Sequence, residues 1–207
     1  GIWLTGDSVI LGIKTKLAAQ QPIALVNAKV GRQIDDLIKA VKEDGPKVPH
    51  SRIVLDVGNN NIITRDQMVQ LMELIKNQPK IIVVNTAVPR VWRDKNDQII
   101  ADVVSNYPNA KLINWNDIST GHPEFFAPDG VHLEDNGSDV YVAAIVEALQ
   151  SVGVNYSYKP GKPKTNREHL EEELGDTLAM IDILIEFGVV SPEKLEIAKQ
   201  AKIEKLK

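Results

Sequence analysis

The sequence predicts an α/β fold: a three-layer sandwich around a parallel five-stranded sheet, followed by a C-terminal helical hairpin. Three observations carry this. Short apolar runs alternate with segments whose apolar residues recur at helical spacing. The runs are apolar throughout, as in strands covered on both faces, and do not alternate with polar residues as half-exposed strands do. Finally, a Pro-, Gly- and Lys-rich stretch at 154–166 (VNYSYKPGKPKTN) precedes a tail with only helical periodicity.

The elements follow in order. Ile2–Thr5 is a short strand running into Gly6-Asp7-Ser8, and Ile23–Val26 is a second, leading to Asn27–Gly31. Ile34, Leu37, Ile38 and Val41 mark a helix face. Ile53–Val57 is a buried strand, followed by Gly58-Asn59-Asn60-Asn61. Thr64 and Gln67 form a capping box for a helix presenting Met68, Leu71, Met72 and Ile75. Lys80–Asn85 is the fourth strand, 94–106 a helix, and Lys111–Trp115 the fifth strand. A Pro/Gly-rich loop from His122 to Leu133 precedes a closing helix marked by Val142, Ile145, Val146 and Leu149. Right-handed crossovers would bring the strand C-terminal ends to one edge, where such sheets bind ligands. Domains are therefore expected at 1–153 and 167–207, with 154–166 as linker.

Composition bounds the function. A chain of 207 residues supports one α/β core with a small appendage. Apolar residues at 43% and charged residues at 25% are ordinary for a globular protein, and no apolar run is long enough to span a membrane. The net charge of −4 lacks the basic field of a nucleic-acid binder. Cysteine is absent, which excludes disulfides, thiolate metal sites and thiol nucleophiles. That fits the cytoplasm and equally a bacterial surface protein. The chain starts almost directly on a strand, as one module of a longer protein would.

Four local patterns suit acyl transfer, which needs a nucleophile, a base, an orienting acid and oxyanion donors. Gly6 lets the chain turn and leaves Ser8 near a helix N-terminus, where free N–H groups favour negative charge; the plainer reading makes Ser8 a helix cap. Asp129 stands three residues before His132 and can hold its imidazole in one tautomer. Of four histidines only His132 has an Asp at that offset. Gly31 allows close backbone approach to a substrate oxygen, or simply turns strand into helix. Asn60 offers an amide donor, or satisfies its own loop. Arg90 and Trp92, after the fourth strand, either contact substrate or stiffen their loop. His122 is assigned to loop structure for want of a paired acid, and Asp7 to bracing its own turn. No metal-ligand spacing appears among them, and no cofactor is implied.

Taken jointly, GDS, VGRQ, GNNN and DGVHL resemble the blocks of the SGNH (GDSL-type) hydrolase superfamily over about 150 residues. NAKVGRQ, NTAVPRVWRDKND and GHPEFFAPDGVHL are similar to the extracytoplasmic catalytic domain of bacterial peptidoglycan O-acetyltransferases. The resemblance implies Ser8, Asp129 and His132 as catalytic residues, and Ser8, Gly31 and Asn60 as oxyanion donors. It also implies an acetylated donor, a glycan acceptor, an acetyl-serine intermediate and a place at the cell surface. Asn61 stands where many SGNH esterases have Asp, which agrees with the transferase branch. A hydrolytic carbohydrate esterase and a non-catalytic binding module are the competing readings.

In the tail, Leu170, Leu174, Leu178, Ile181 and Ile185 form one helical stripe. Gly188 suits a C-terminal cap and Ser191-Pro192 the start of a second helix. Such a hairpin is too small for a core of its own, so it is expected to dock on the main domain or on another chain, as in a homo-oligomer. Its sequence resembles the C-terminal half of MazG-like nucleotide pyrophosphohydrolases, in which Glu173 and Asp176 would match a magnesium-binding pair. The upstream acidic helix of that family is absent, so a solvated acidic face is the expected role.

Overall fold

A computed structural model describes residues 1–151 and 166–206. The chain divides into two compact units, Gly1–Lys159 and Pro160–Lys207. The linker expected at 154–166 lies outside the described residues except Asn166, which opens the tail's first helix.

The first unit has the expected three layers. Strands β1 (Ile2–Gly6), β2 (Ile23–Ala28), β3 (Arg52–Asp56), β4 (Ile81–Val84) and β5 (Ala110–Ile113) form a fully parallel sheet in the order β2-β1-β3-β4-β5. One face carries helices α2 (Ile34–Asp44), α3 (Arg65–Ile75) and α4 (Arg93–Val104), packed on Trp3, Ile53, Leu55, Ile81 and Val83. The other carries α1 (Ser8–Ala18) and α6 (Asp135–Gln150), packed on Ile2, Leu4, Val54, Ile82 and Val84. Successive strand residues point to opposite faces, so the central strands β1, β3 and β4 are buried on both faces and largely apolar, while the edge strand β2 is only partly covered. Met68, Leu71, Met72 and Ile75 are all buried, and Thr64 and Gln67 form both bonds of the capping box. Truncating Leu71 to Ala would remove about 2–5 kcal/mol of stability.

The fifth strand stops earlier than expected. Asn114 turns its side chain onto the Asp117 N–H and caps a short helix, α5 (Trp115–Ser119). Trp115 therefore leaves the sheet and packs edge-on against Tyr141, ring centroids 4.9 Å apart. The chain crosses to the other side of β1 between β2 and β3, so the C-terminal ends of β1 and β3 flank the point where the strand order reverses. That is where ligands bind in open parallel sheets.

The second unit is a helical hairpin of α7 (Asn166–Glu186) and α8 (Pro192–Leu206). Gly188 takes φ +69° and the Ser191 hydroxyl accepts from the Lys194 N–H, as the capping pattern requires. Leu174 and Leu178 of the apolar stripe are exposed and Ile181 and Ile185 half-buried; the Leu170 side chain lies outside the described residues. Among the described residues no helix is long and apolar enough to cross a membrane.

Candidate active site

The site starts at the end of β1. Gly6 adopts φ +149°, and a Cβ there would lie 1.9 Å from Asp56 Oδ1. Only glycine permits this approach, and it lets the Asp7 N–H donate to Asp56 Oδ1 at 2.9 Å. Asp7 is the N-cap of α1, accepting from the Val9 N–H at 2.8 Å. It thus takes the capping role considered for Ser8. Ser8 becomes the first helical residue, with its hydroxyl free to turn outward.

The loop before α6 supplies the partners. Its ends are tied by a bridge between Phe126 and Leu133 and by bonds from the Ala127 N–H to the His132 carbonyl and from the Glu134 N–H to the Phe125 carbonyl, both 2.8 Å. Gly130 takes φ +69° at its tip. Asp129 Oδ1 accepts from the N–H groups of Val131 (2.8 Å) and His132 (3.0 Å). Asp129 Oδ2 lies 2.6 Å from His132 Nδ1, and His132 Nε2 lies 3.0 Å from Ser8 Oγ. An alcohol, an imidazole and a carboxyl thus stand in series within hydrogen-bond reach. The imidazole can take the alcohol's proton while the carboxylate supports the cation formed. The His132 bond, with the two backbone N–H groups, holds the Asp129 carboxyl down at about 2. Both side chains remain open to solvent, 48% exposed for Asp129 and 51% for His132.

The expected oxyanion donors reach the same edge. Gly31 sits in a turn at φ +71°. That turn is anchored by Arg32, whose guanidinium donates to the Asn27 backbone and side-chain oxygens at 2.7 and 2.9 Å and to the Gly6 carbonyl at 3.3 Å. Asn60 follows β3, but its amide nitrogen is already engaged, donating to Asp7 Oδ2 at 2.7 Å and the Arg32 carbonyl at 3.2 Å. An incoming oxyanion would have to replace the longer of these bonds.

Gly31, Asn60, Asn61, Val88, Arg90 and Trp92 line one open cleft of about 460 Å³, together with Val131 beside His132. Trp92 is half-buried, its indole N–H 3.4 Å from the Asn59 carbonyl, while Arg90 is exposed. A second recess, holding about 10 Å³ and so close to one water, shares Asn59, Val88 and Val131 with the cleft and adds Val9, Phe126 and Tyr141.

His122 differs from expectation in one respect: it has an acid. Pro123 starts a tight turn that returns Glu124 to it, Oε1 2.8 Å from Nδ1. Its ring stacks on Phe125 with centroids 4.5 Å apart, which is a loop-structuring contact. Asp176 is exposed on α7, and the Glu173 side chain lies outside the described residues. Sequence reasoning missed Asp56, Asn59 and Arg32 around the serine turn. The signal for Asp56 was a carboxyl inside the otherwise apolar strand IVLDV.

The fold is that of the SGNH (GDSL-type) hydrolases, whose motif set the chain resembles. No family model matches the chain. A GDSL-like lipase from Bacteroides thetaiotaomicron shares its fold, with TM-score 0.60 and 18% identity over 72% of this chain and 87% of that one. The C-terminal catalytic domain of Streptococcus pneumoniae peptidoglycan O-acetyltransferase A, solved with a methylsulfonyl adduct, aligns with TM-score 0.59 and 25% identity over 72% of this chain and 92% of that one. The O-acetyltransferase OatA of Staphylococcus aureus is 32% identical over 155 residues, covering 73% of this chain and 25% of that protein. The chain thus spans about a quarter of the length of the curated relatives it matches.

Proposed function

We propose that residues 1–151 form a serine O-acyltransferase that carries an acetyl group to a hydroxyl of a cell-wall glycan. The observation that carries this reading is the Ser8–His132–Asp129 series at 3.0 and 2.6 Å, at the sheet edge where the cleft opens. His132 removes the Ser8 proton as Oγ attacks the carbonyl carbon of an acetylated donor. The N–H groups of Ser8 and Gly31 and the Asn60 amide hold the tetrahedral oxyanion, each such donor being worth about 3 kcal/mol. Collapse expels the donor's alkoxide, which takes the proton from His132 and leaves acetyl-Ser8. A sugar hydroxyl then enters, gives its proton to His132 and attacks the acetyl carbon; collapse breaks the bond to Ser8 Oγ, which takes the proton back from His132 and releases the acetylated sugar. Trp92 offers a flat apolar face to a sugar ring, and Arg90 a cation to a glycan carboxylate. The similarity to peptidoglycan O-acetyltransferases supports the same acceptor class and a place at the cell surface.

A hydrolytic esterase is the second reading, favoured by the solvent exposure of His132 and Asp129, because water reaches the base readily. One experiment separates them. The protein is incubated with an activated acetyl ester and a chitooligosaccharide, and products and enzyme are read by mass spectrometry. Acetylated sugar, with an acetyl adduct confined to Ser8, is expected. Acetate alone makes the protein an esterase. Undiminished turnover by Ser8→Ala overturns the serine mechanism and leaves another nucleophile, and no turnover by the parent leaves a binding module.

The hairpin supports self-association as a further part of this reading. None of its described residues is buried, and Phe187 is 77% exposed. An apolar surface of this kind gains most by pairing with a copy of itself. Sedimentation velocity should show a dimer or higher oligomer that Leu178→Glu/Phe187→Glu converts to monomer; a monomeric parent protein refutes it.

A further inference from the structure

Beneath the Ser8 turn lies a pair of carboxyl groups that the serine chemistry does not use. Asp56, at the end of β3, and Asp7 are both buried. The Asp7 N–H donates to Asp56 Oδ1 at 2.9 Å. The Asn59 amide nitrogen bridges the two side chains, 2.9 Å from Asp7 Oδ2 and 3.3 Å from Asp56 Oδ2. Asp7 accepts in addition from the Val9 N–H at 2.8 Å and the Asn60 amide at 2.7 Å. Three N–H donors therefore point at the Asp7 carboxyl. Asp56 has two, one of them long and shared.

Two anions this close in a dry site repel strongly, and the pair keeps one proton. The donors assign the anion to Asp7 and the proton to Asp56. Burial, then the Asp7 charge, push the Asp56 carboxyl well above the usual carboxylate range. The other titratable group facing the pair is Tyr141 from α6, itself pushed up by burial and then by the two carboxyls, so it adds no compensating cation.

We propose that Asp56 is a positioning residue: a neutral acid hydrogen-bonded to the Asp7 carboxylate, it ties the turn bearing Ser8 to the loop bearing Asn60. Asp7 is the shared element. One of its oxygens caps the helix that Ser8 begins, and the other holds the Asn60 amide. Fixing Asp7 from below keeps nucleophile and oxyanion donor at one spacing. This rests on reading Ser8 as nucleophile and Asn60 as donor. An Asn at position 56 keeps both bonds to Asp7, since its oxygen accepts from the Asp7 N–H and its amide donates to the Asp7 carboxylate, and gives up only the long 3.3 Å bond from the Asn59 amide. An Ala removes both and leaves the Asp7 N–H unpaired.

The test compares kcat and KM on an activated acetyl ester for Asp56→Asn, Asp56→Ala and Ser8→Ala, with near-ultraviolet circular dichroism to certify the fold. Asp56→Asn should keep kcat within about fivefold of the parent. Asp56→Ala should lower kcat about 100-fold, the scale of losing one oxyanion donor, with KM within about twofold. Should Asp56→Ala not fold, Asp56→Ser takes its place and should lose at least about tenfold in kcat. The proposal is overturned if Asn loses as much as Ala, because a charged carboxylate is then required. It is also overturned if folded Asp56→Ala, or its Ser replacement, keeps full kcat. Full activity in Ser8→Ala would instead overturn the serine mechanism, a result distinct from either.

Discussion

Asp129→Asn separates the tautomer control of the site from its folding. In the native loop Asp129 Oδ1 accepts from the Val131 and His132 N–H groups, and Oδ2 meets His132 Nδ1 at 2.6 Å. An Asn keeps the first oxygen and its two backbone bonds, so the loop stays formed. It turns an NH2 group toward Nδ1, which must then accept. The ring proton moves to Nε2, facing Ser8 Oγ at 3.0 Å, and an imidazole in that state cannot take the serine proton. In a buried triad this exchange costs about 10⁴ in kcat. Here Asp129 and His132 are about half exposed, so water offers alternative partners and the ring can reorient. The expected loss is therefore nearer 10³, or about 4 kcal/mol of barrier. Because the Asp129 carboxyl is held at about 2, it stays ionised in the parent from about pH 5 to 8, so the loss reflects the exchange of groups and not a change in Asp129 protonation. The assay is 4-nitrophenol release from its acetate ester, with denaturation midpoints measured alongside. A folded Asp129→Asn protein with kcat within tenfold of the parent refutes the reasoning.

Other perturbations follow from the same contacts. Gly6→Ala forces a Cβ to within 1.9 Å of Asp56 Oδ1 at a φ of +149°, combining about 1–3 kcal/mol of backbone strain with about 1–3 kcal/mol for the broken buried bond. Urea unfolding followed by tryptophan fluorescence should show a loss of about 2–6 kcal/mol, and a change below about 1 kcal/mol sinks the argument. Burial pushes the Asp97 carboxyl up to about 7, although the Thr86 N–H and the Asn116 amide donate to it. The native state thus keeps a proton that the unfolded chain releases near about 3.9, so this group's stabilisation is full below that pH and lost as pH rises through about 7. Asp97→Asn should flatten the decline, and an equal difference between variant and parent at pH 5 and pH 8 counts against it. Trp92→Ala should raise KM for a chitooligosaccharide acceptor, and Arg90→Ala that for an acceptor glycan bearing a carboxylate, about tenfold (~1.4 kcal/mol) more than for a small ester; equal effects on acceptor and ester would remove them from the acceptor site.

Much of the fold was legible because the central strands are covered on both faces, so that they advertise themselves as largely apolar runs. The end of β5 was not. In KLINW the Trp continues the apolar pattern, and only the Asn114 side chain, reaching the Asp117 N–H, ends the strand. The serine, aspartate and histidine were legible because each lies in a short local motif following a strand or in the last loop. Their supports were not, since Arg32 meets Gly6 and Asn59 meets Asp7 across 26 and 52 positions of chain. Such pairings exist only once the strand order is known. The carboxyl in IVLDV was visible in the sequence, but its meaning depends on Asp7 arriving beside it. The Glu124 partner of His122 was not legible from the three-residue offset of Asp129, because the turn at Pro123 brings together side chains two apart.

The pinned loop carrying Asp129 and His132 has a kinetic consequence. The acid and the base travel on one short tether closed by the Phe126–Leu133 bridge, while the alcohol belongs to a helix rooted in the sheet. Thermal displacement of the tether leaves the bond between acid and base intact and alters a single coordinate, the gap across which the proton jumps. Warming should therefore erode turnover before it unfolds the domain, and added cross-links within the tether should do less to preserve rate than one that fastens it to the nucleophile's helix.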